Sequence, residues 1–315
     1  MINYSFIIPH KNIPDLLRRC VSSIPRRDDI EIIIVDDASD PEVVNERTMA
    51  DVIEQPCVRM IFTKENGGLS YVRNVGIKNA TGKWTFIADA DDFLMPGALE
   101  MLDKYKDSDS EVVCFHICAK DCYTLEPCNR CWYLNKHMDR AAAGEMSMNM
   151  LLINVVTTWT KLVKREFYIR HDICFQEETR IWTDLFWAKL LALKAQKIEV
   201  SPDVLYCVTE RSTNMSNTYV SKEYMKQMYY VVKTSNRLVV DNGKIEYVSN
   251  IDFFFKKIRN LSLLMYWKYY FLALIDGTFC LTTMKYSFKQ RMHYLLLFTR
   301  WLRPRKSDFH PVTQK

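Results

Sequence analysis

The sequence is poor in glycine, with eight in 315 residues, and it contains neither a Gly-x-Gly-x-x-Gly nor a Walker A motif. This absence argues against a dinucleotide-binding protein and against a P-loop protein. A strong excess of one charge is also missing, because the net charge is only +5. Nucleic acid is therefore not expected as a partner. With 48% hydrophobic residues, the chain can fold around a substantial core.

The start of the sequence lacks the basic segment and apolar stretch of a secretion signal, since residues 1–4 lead almost directly into a short β-like run. We therefore expect a cytoplasmic protein whose ten cysteines are reduced thiols. Five of them lie between residues 114 and 131, and Cys128 and Cys131 have the spacing of a zinc knuckle. Residues 112–118 also alternate like a half-buried strand, with Cys114 and His116 on one face. The cluster is either a zinc site or part of the core, and the alternation favours the core.

Short apolar runs alternate with segments of helical periodicity along the first 105 residues. The predicted strands are residues 4–8, 30–35, 58–62 and 84–88, and the clearest helices between and after them are 12–24, 70–80 and 96–105. Asn12 is the expected N-cap of the first helix, with Pro14 in its first turn. This alternation predicts an α/β fold with a parallel, doubly wound sheet.

Polar residues lie at or beyond the carboxyl ends of the predicted strands, in segments 9–12, 36–37, 66–68 and 89–92. In such sheets these ends converge on one ligand-binding crevice. Asp89, Asp91 and Asp92 repel one another unless a cation lies among them, and oxygen ligands favour Mg²⁺ or Mn²⁺. The same residues also suit an acidic turn before the helix near Pro96, just as segment 66–68 suits an ordinary turn.

Four segments together, 5–12, 33–40, 66–74 and 89–92, resemble glycosyltransferase family 2 in their order and spacing. The resemblance is strongest up to residue 95 and extends to about residue 220. It implies the GT-A fold, whose mixed α/β sheet is Rossmann-like, and the inverting transfer of a sugar from a nucleotide-diphosphate donor. It also implies Mn²⁺ or Mg²⁺ as the cofactor.

The resemblance assigns residues of these segments to the donor. Asp37 corresponds to the carboxylate that reads the nucleobase, and Asp91 to the metal ligand. Asp92 is the alternative metal ligand, because in a run with three carboxylates the family's pattern can be aligned one position later. Arg73 is expected near the phosphates. The residues assigned to donor binding are Pro9, Asn12, Asp36, Asp37, Asn66, Gly67, Arg73, Asp89 and Arg211.

An inverting transfer also needs a base that removes the proton of the acceptor hydroxyl. Residues 183–187, Thr-Asp-Leu-Phe-Trp, resemble the family's Glu-Asp-x-x-Phe or Trp pattern and assign this role to Asp184. Thr183 departs from the family's Glu, and Glu177 and Glu178 are nearby substitutes. Alternatively, Asp184 only stabilises the start of its helix.

The acceptor is expected to meet aromatic and basic residues between positions 159 and 187. Residues 159–162 resemble the family's Trp-x-Lys-Leu segment, and aromatic faces suit sugar rings as well as protein cores. Residues 206–216 resemble the family's mobile loop, from which Arg211 is expected to reach the diphosphate. The expected acceptor-binding residues are Trp159, Lys161 and Trp182.

The sequence divides into a GT-A catalytic domain at 1–220 and a helical, basic and aromatic region at 221–315. Within the first part, residues 1–105 are expected to bind the donor and 106–220 the acceptor. Residues 261–283 are apolar, but Lys268 and Asp276 make a membrane span costly. Residues 284–306 have the composition of an interfacial helix, and the alternative is packing on the catalytic domain or on a second copy.

The expected function is the extension of a cell-envelope polysaccharide or lipid-linked glycan from a nucleotide sugar, with UDP as the expected nucleotide. The protein is expected at the inner face of the cell membrane, as a monomer or a homo-oligomer. Two alternatives remain: a sugar nucleotidyltransferase, whose Gly-rich signature residues 9–12 do not supply, and a nucleotide-sugar sensor or scaffold without activity.

Overall fold

The computed structural model describes residues 1–211 and 221–278. Within these residues, eight strands form one sheet with helices packed against it. The strands β1 to β8 are Tyr4–His10, Ile30–Asp36, Val58–Phe62, Trp84–Ile87, Phe93–Leu94, Val112–Asp121, Lys161–Lys164 and Ile198–Glu210. The helices α1 to α11 are Pro14–Ser23, Ala50–Ile53, Leu69–Asn79, Ala98–Asp103, Trp132–Ala142, Met148–Asn154, Arg165–His171, Thr183–Lys194, Lys222–Asp241, Asp252–Leu261 and Leu263–Ile275.

The sheet is mixed, with strand order β3-β2-β1-β4-β7-β6-β8-β5. The first four strands in this order are mutually parallel, as predicted. β7 then pairs antiparallel with both β4 and β6, and β5 pairs antiparallel with β8. The parallel strands predicted from the first 105 residues are therefore confirmed, and the sheet as a whole is mixed, as the GT-A resemblance implies, because β7 enters it between two strands that run against it.

The central strands are buried on both faces, which explains their continuous apolar sequences. All seven residues of β1 are buried, and so are Trp84 to Ile87 of β4. α3 packs closely on β1, since a Cβ on Gly76 would lie 2.2 Å from Cγ2 of Ile7. This packing fixes the polar loops at the carboxyl ends of the strands.

The start of α1 differs from the prediction. Ile13, not Asn12, is the N-cap residue, and Pro14 is the first helical residue. Asn12 has a left-handed φ of 55°, and its Oδ1 accepts a hydrogen bond from the Asp40 backbone N–H at 2.7 Å. Asn12 therefore ties the loop after β1 to the loop after β2 instead of capping the helix.

Helices α9, α10 and α11 enclose a second apolar cluster, which confirms a helical region in the last third of the chain. This cluster includes Leu185 of α8, and the buried Lys189 ammonium donates to Asn236 Oδ1 at 2.7 Å. The helical region thus packs directly against α8. The division into domains at residue 220 stays a prediction.

Across the described ranges, no helix has the length and apolarity to cross a bilayer. The mobile loop was expected at residues 206–216, but residues 206–210 belong to β8, because they continue its pairing with β6. Residues 212–216 lie outside the described residues, as do the interfacial helix expected at 284–306 and the end of the apolar segment beyond residue 278.

Candidate functional site

The loop after β2 is held by a buried carboxylate. Asp36 Oδ1 accepts from His10 Nδ1 at 2.8 Å, and Oδ2 accepts from the Ser39 backbone N–H at 2.9 Å. Burial raises the pKa of Asp36, but the hydrogen bonds from His10 and Ser39 outweigh it and leave the pKa below its usual value. Asp36 therefore fixes the ends of β1 and β2, and His10, which the sequence did not single out, is its partner.

Asp37 links this loop to segment 66–68. Both of its carboxylate oxygens lie within 3.1 Å of the Gly68 backbone nitrogen. On the other side of the segment, Arg180 Nη2 donates to the Asn66 carbonyl at 2.7 Å, and Nη1 bonds Asn66 Oδ1. Arg180 precedes α8, so it joins two segments of the site that are 114 residues apart in sequence.

Gly68 adopts φ 85° and ψ 171°, a conformation that only glycine takes readily. A Cβ there would also lie 2.9 Å from Arg180 Nη1. We expect Gly68→Ala to lower thermal stability and to weaken binding of UDP about tenfold or more, because the strain is about 1–3 kcal/mol. Thermal unfolding and titration calorimetry measure the two effects.

Gly144 provides the matched control, since its φ is 77° and nothing lies within 4 Å of the point that an added Cβ would occupy. Gly144→Ala is expected to carry strain from the backbone alone and to leave UDP binding unchanged. Equal losses of UDP binding in the two variants would contradict a special role for the Gly68 turn.

Arg73 lies at the centre of the site, on α3, and is 1% exposed. Its Nη1 donates to Asp184 Oδ1 at 2.5 Å and to Thr183 Oγ1 at 3.1 Å, and its Nη2 lies 3.2 Å from Asp89 Oδ1. The guanidinium carbon lies 5.2 Å from the centre of the Phe175 ring. One buried cation thus joins the carboxylate assigned to the donor sugar to the carboxylate assigned as base.

Thr183 has a defined place in this network. Its hydroxyl accepts from Arg73 and donates to Asp184 Oδ1 at 3.1 Å. Thr183, which stands where the family has Glu, therefore still makes a polar contact with the proposed base, Asp184. Glu177, one of the nearby substitutes, is exposed and accepts from Asn74 at 2.7 Å, and Glu178 is exposed as well.

The turn after β4 is clamped from two sides. Asp92 is 2% exposed, and its Oδ1 accepts from the Thr209 backbone N–H at 2.6 Å. The Asp91 carbonyl accepts from the Thr209 hydroxyl at 2.8 Å and from Arg19. The Asp91 side chain, in contrast, is 20% exposed and lies 3.1 Å from Arg211 Nη2. The turn therefore directs Asp92 inward and Asp91 toward the crevice.

The two carboxylates differ in their surroundings. Burial, followed by the charges of Asp91 and Asp89, raises the pKa of Asp92 well above its usual value. Burial also raises the pKa of Asp89 to about 6, against the opposing charge of Arg73. Asp92 thus supports the turn, and Asp91 is the more exposed of the two.

No group of three or more His, Cys, Asp or Glu side chains that could hold a metal is found in the described part of the chain. The zinc alternative therefore has no support there. Both ring nitrogens of His116 are engaged, by the Ser201 carbonyl at 2.8 Å and by Asp139 at 2.9 Å. Cys114 is buried in β6, as the strand pattern predicted.

Two of the expected acceptor residues are buried. Lys161 is 1% exposed, and its ammonium donates to the carbonyls of Val155 at 2.5 Å and Thr157 at 2.7 Å. Burial lowers the pKa of Lys161 to about 8. Trp159 is also buried and stacks on Tyr206 with ring centres 5.7 Å apart. These side chains support the wall of the site instead of facing an acceptor.

The other residues expected in the site differ in burial. Trp182 is half-buried beside Asp184, and its indole N–H donates to Tyr224 on α9 at 3.0 Å. Pro9 lies inside β1 and is buried, while Gly67 is half-buried and Asn66 exposed. Arg19 and Arg180 were missed because their partners are distant in sequence and their own surroundings carry no local signal.

Comparison with known proteins gives the same family as the sequence segments. Residues 5–142 match the family model described as glycosyl transferase family 2. The chain is 25% identical over 218 residues to the uncharacterized glycosyltransferase EpsJ of Bacillus subtilis strain 168, with 67% of this chain and 62% of EpsJ covered. It is 39% identical over 101 residues to the uncharacterized glycosyltransferase YibD of Escherichia coli K12, covering 31% and 28%. The chain thus spans less than two thirds of either relative.

The fold is also found among solved structures. The crystal structure of Staphylococcus aureus TarS, residues 1–349, in complex with UDP-GlcNAc matches with a TM-score of 0.57 and 20% identity. The match covers 75% of this chain and 66% of that one. Residues 5–142 therefore match glycosyl transferase family 2, and the mixed sheet is the GT-A fold that the four sequence segments predicted.

Proposed function

We propose that the protein is an inverting glycosyltransferase that transfers a sugar from a UDP-sugar to a hydroxyl of a cell-envelope glycan or lipid-linked acceptor. The observation that carries the proposal is the Arg73 guanidinium, which holds Asp89 and Asp184 together in one buried network. These carboxylates are 95 positions apart in the sequence and come from the donor and acceptor halves. Their convergence supports a site in which donor and acceptor react.

On the donor side, Asp37 and segment 66–68 would hold the nucleoside, because the carboxylate and the loop are already bonded to each other. Asp91 would hold Mn²⁺ or Mg²⁺ beside the donor diphosphate. Such an ion supplies positive charge that stabilises the departing diphosphate. Arg211, 3.1 Å from Asp91, would add a second cation at the same place.

On the acceptor side, Asp184 would take the proton of the attacking hydroxyl. The oxygen of that hydroxyl bonds the anomeric carbon as the bond from this carbon to the diphosphate breaks, so the configuration inverts. Within the described residues, Arg73 and Thr183 both bond Oδ1 of Asp184. Oδ2 is therefore the oxygen that we assign to the proton.

Exposed aromatic side chains beyond the carboxyl end of β6 are the better candidates for acceptor contact. Arg19 bonds the carbonyls of both Asp91 and Cys122, so the segment after Cys122 begins beside the turn after β4. Flat, half-exposed rings suit the apolar faces of sugars. The exposed aromatics in this segment are Tyr123, Trp132 and Tyr133.

The test is the release of nucleotide from a panel of UDP-, GDP- and dTDP-sugars, with Mn²⁺ or with EDTA. We expect metal-dependent release from a UDP-sugar, its loss in Asp91→Asn, and its retention in Asp15→Asn, whose side chain is 94% exposed. Release from another nucleotide's sugar would overturn the UDP assignment. Donor binding by calorimetry without turnover, abolished by Asp37→Ala, would indicate a sensor or scaffold instead of a transferase.

A further inference from the structure

Helix α11 has two apolar faces, of which one packs against other described residues. Its inner face packs into the second apolar cluster with α9 and α10, through Tyr266, Tyr269, Tyr270 and Ala273. Its outer face is open to solvent. The exposed apolar residues are Leu263 at 55%, Leu264 at 82%, Phe271 at 56%, Leu272 at 38%, Leu274 at 41% and Ile275 at 84%.

These positions recur with helical spacing and form one continuous stripe along α11. Elsewhere in the described residues, large exposed apolar side chains occur singly or in small groups, such as Trp132 and Tyr133 at the start of α5. A contiguous apolar stripe of this kind marks an interaction surface. Lys268 is exposed within the stripe and is its single charged residue.

The sign of the surrounding charge indicates the partner. Residues 1–252 contain 31 Lys and Arg against 36 Asp and Glu, whereas the described residues 253–278 contain four Lys and Arg, at positions 256, 257, 259 and 268, and one acid, Asp276. That acid is neutralised, because its carboxylate lies 2.9 Å from Lys233 and accepts from Tyr229 at 3.1 Å. The described residues 253–278 therefore carry a net positive charge, while residues 1–252 are weakly anionic.

The length of α11 defines how it meets a bilayer. Thirteen residues make a helix of about 20 Å, which is shorter than the roughly 30 Å hydrocarbon core. A short helix with an apolar face and flanking cations lies in the plane of the interface, with lysine stems extending toward the headgroups. Anionic headgroups match the cationic surroundings.

We propose that the outer face of α11 binds the surface of an anionic lipid bilayer. The apolar stripe enters the boundary between headgroups and acyl chains, and Lys268 and Lys256 meet the negative headgroups. Because Leu185 of α8 shares the inner cluster with α11, the bound helix packs in the same cluster as the helix that carries Asp184. Bilayer binding is independent of the proposed function and is measured without substrate.

The experiment is flotation of the full chain with vesicles of phosphatidylcholine alone or with 30% phosphatidylglycerol. We expect binding to the anionic vesicles only, and at least a tenfold smaller bound fraction for the double variant Leu264→Glu, Ile275→Glu. The matched control is Ile169→Glu on α7, since Ile169 is 65% exposed and lies outside the stripe. The control is expected to bind like the wild type.

Thermal unfolding shows whether each variant is folded. Donor hydrolysis, measured separately, distinguishes a failure of bilayer binding from a failure of the proposed transferase function. Absence of binding to the anionic vesicles would overturn the proposal. Undiminished binding of the double variant would do so as well, because the lipid contact would then lie elsewhere. If the wild type does not bind vesicles but is a dimer in light scattering, and the double variant is a monomer, the stripe would instead bind a second copy of the chain.

Discussion

Replacing Asp184 with asparagine is expected to lower kcat about 10³-fold, the range found for loss of a general base. Asparagine keeps the size of the side chain and can still accept from Arg73 and Thr183, but it cannot take the acceptor proton. The affinity for the donor should change little, because Asp184 is assigned to the acceptor side. Steady-state kinetics and donor calorimetry measure the two quantities.

The neighbouring carboxylates supply the controls for this prediction. Glu177→Gln and Glu178→Gln are expected to retain most of the activity, since both side chains are exposed and neither contacts Arg73. If either of these variants loses activity while Asp184→Asn remains active, the base has been assigned to the wrong residue.

Replacing Arg73 with methionine is expected to lower the free energy of unfolding by about 3 kcal/mol, as for other broken buried ion pairs. Methionine fills much of the space but leaves Asp89 and Asp184 facing each other without a cation. Their partial exposure, 30% and 22%, keeps the loss at the lower end of the range. Urea denaturation followed by circular dichroism measures it, and activity is expected to fall together with stability.

A double-mutant cycle tests the mechanism of this loss. Adding Asp184→Asn to Arg73→Met removes one of the two unpaired charges, so the double variant should be more stable than additivity predicts by about 1 kcal/mol or more. Arg237→Met is the surface control, because Arg237 is exposed and pairs only along its own helix with Asp241. Strict additivity in the cycle would mean that packing against Phe175, and not charge, accounts for the stability.

The part of the fold that could be predicted is the part specified locally. β-branched runs, such as the one that forms β2, and the polar residues after them predict parallel strands with a crevice at their carboxyl ends. The structure confirms these four strands. Lys161–Lys164 gave no such signal, because four residues with lysine at both ends do not resemble a buried strand, and its antiparallel pairing depends on tertiary packing.

The sequence could predict which segments form the site, but not the hydrogen bonds that connect them. The sequence suggests that Asp89, Arg73 and Asp184 lie near one crevice, yet nothing local indicates that one guanidinium bonds both carboxylates. Likewise, Asp91 and Asp92 are equivalent in the sequence, and they differ because the Thr209 backbone N–H bonds the Asp92 carboxylate whereas the Asp91 carboxylate pairs with Arg211. Lys161 looks like a surface cation until its three backbone and hydroxyl partners are seen.

The contact between α8 and α9 limits which segments of this protein can be recombined with those of another. Lys189 is buried against Asn236, whose amide also binds the Ser249 carbonyl and backbone N–H at 2.9 and 2.8 Å. A recombination event near residue 220 would join a catalytic half to foreign helices that lack Asn236 and would remove a hydrogen-bond partner from a buried ammonium. The outer face of α8 and the helices that cover it must therefore be exchanged together, in evolution or in a designed chimera.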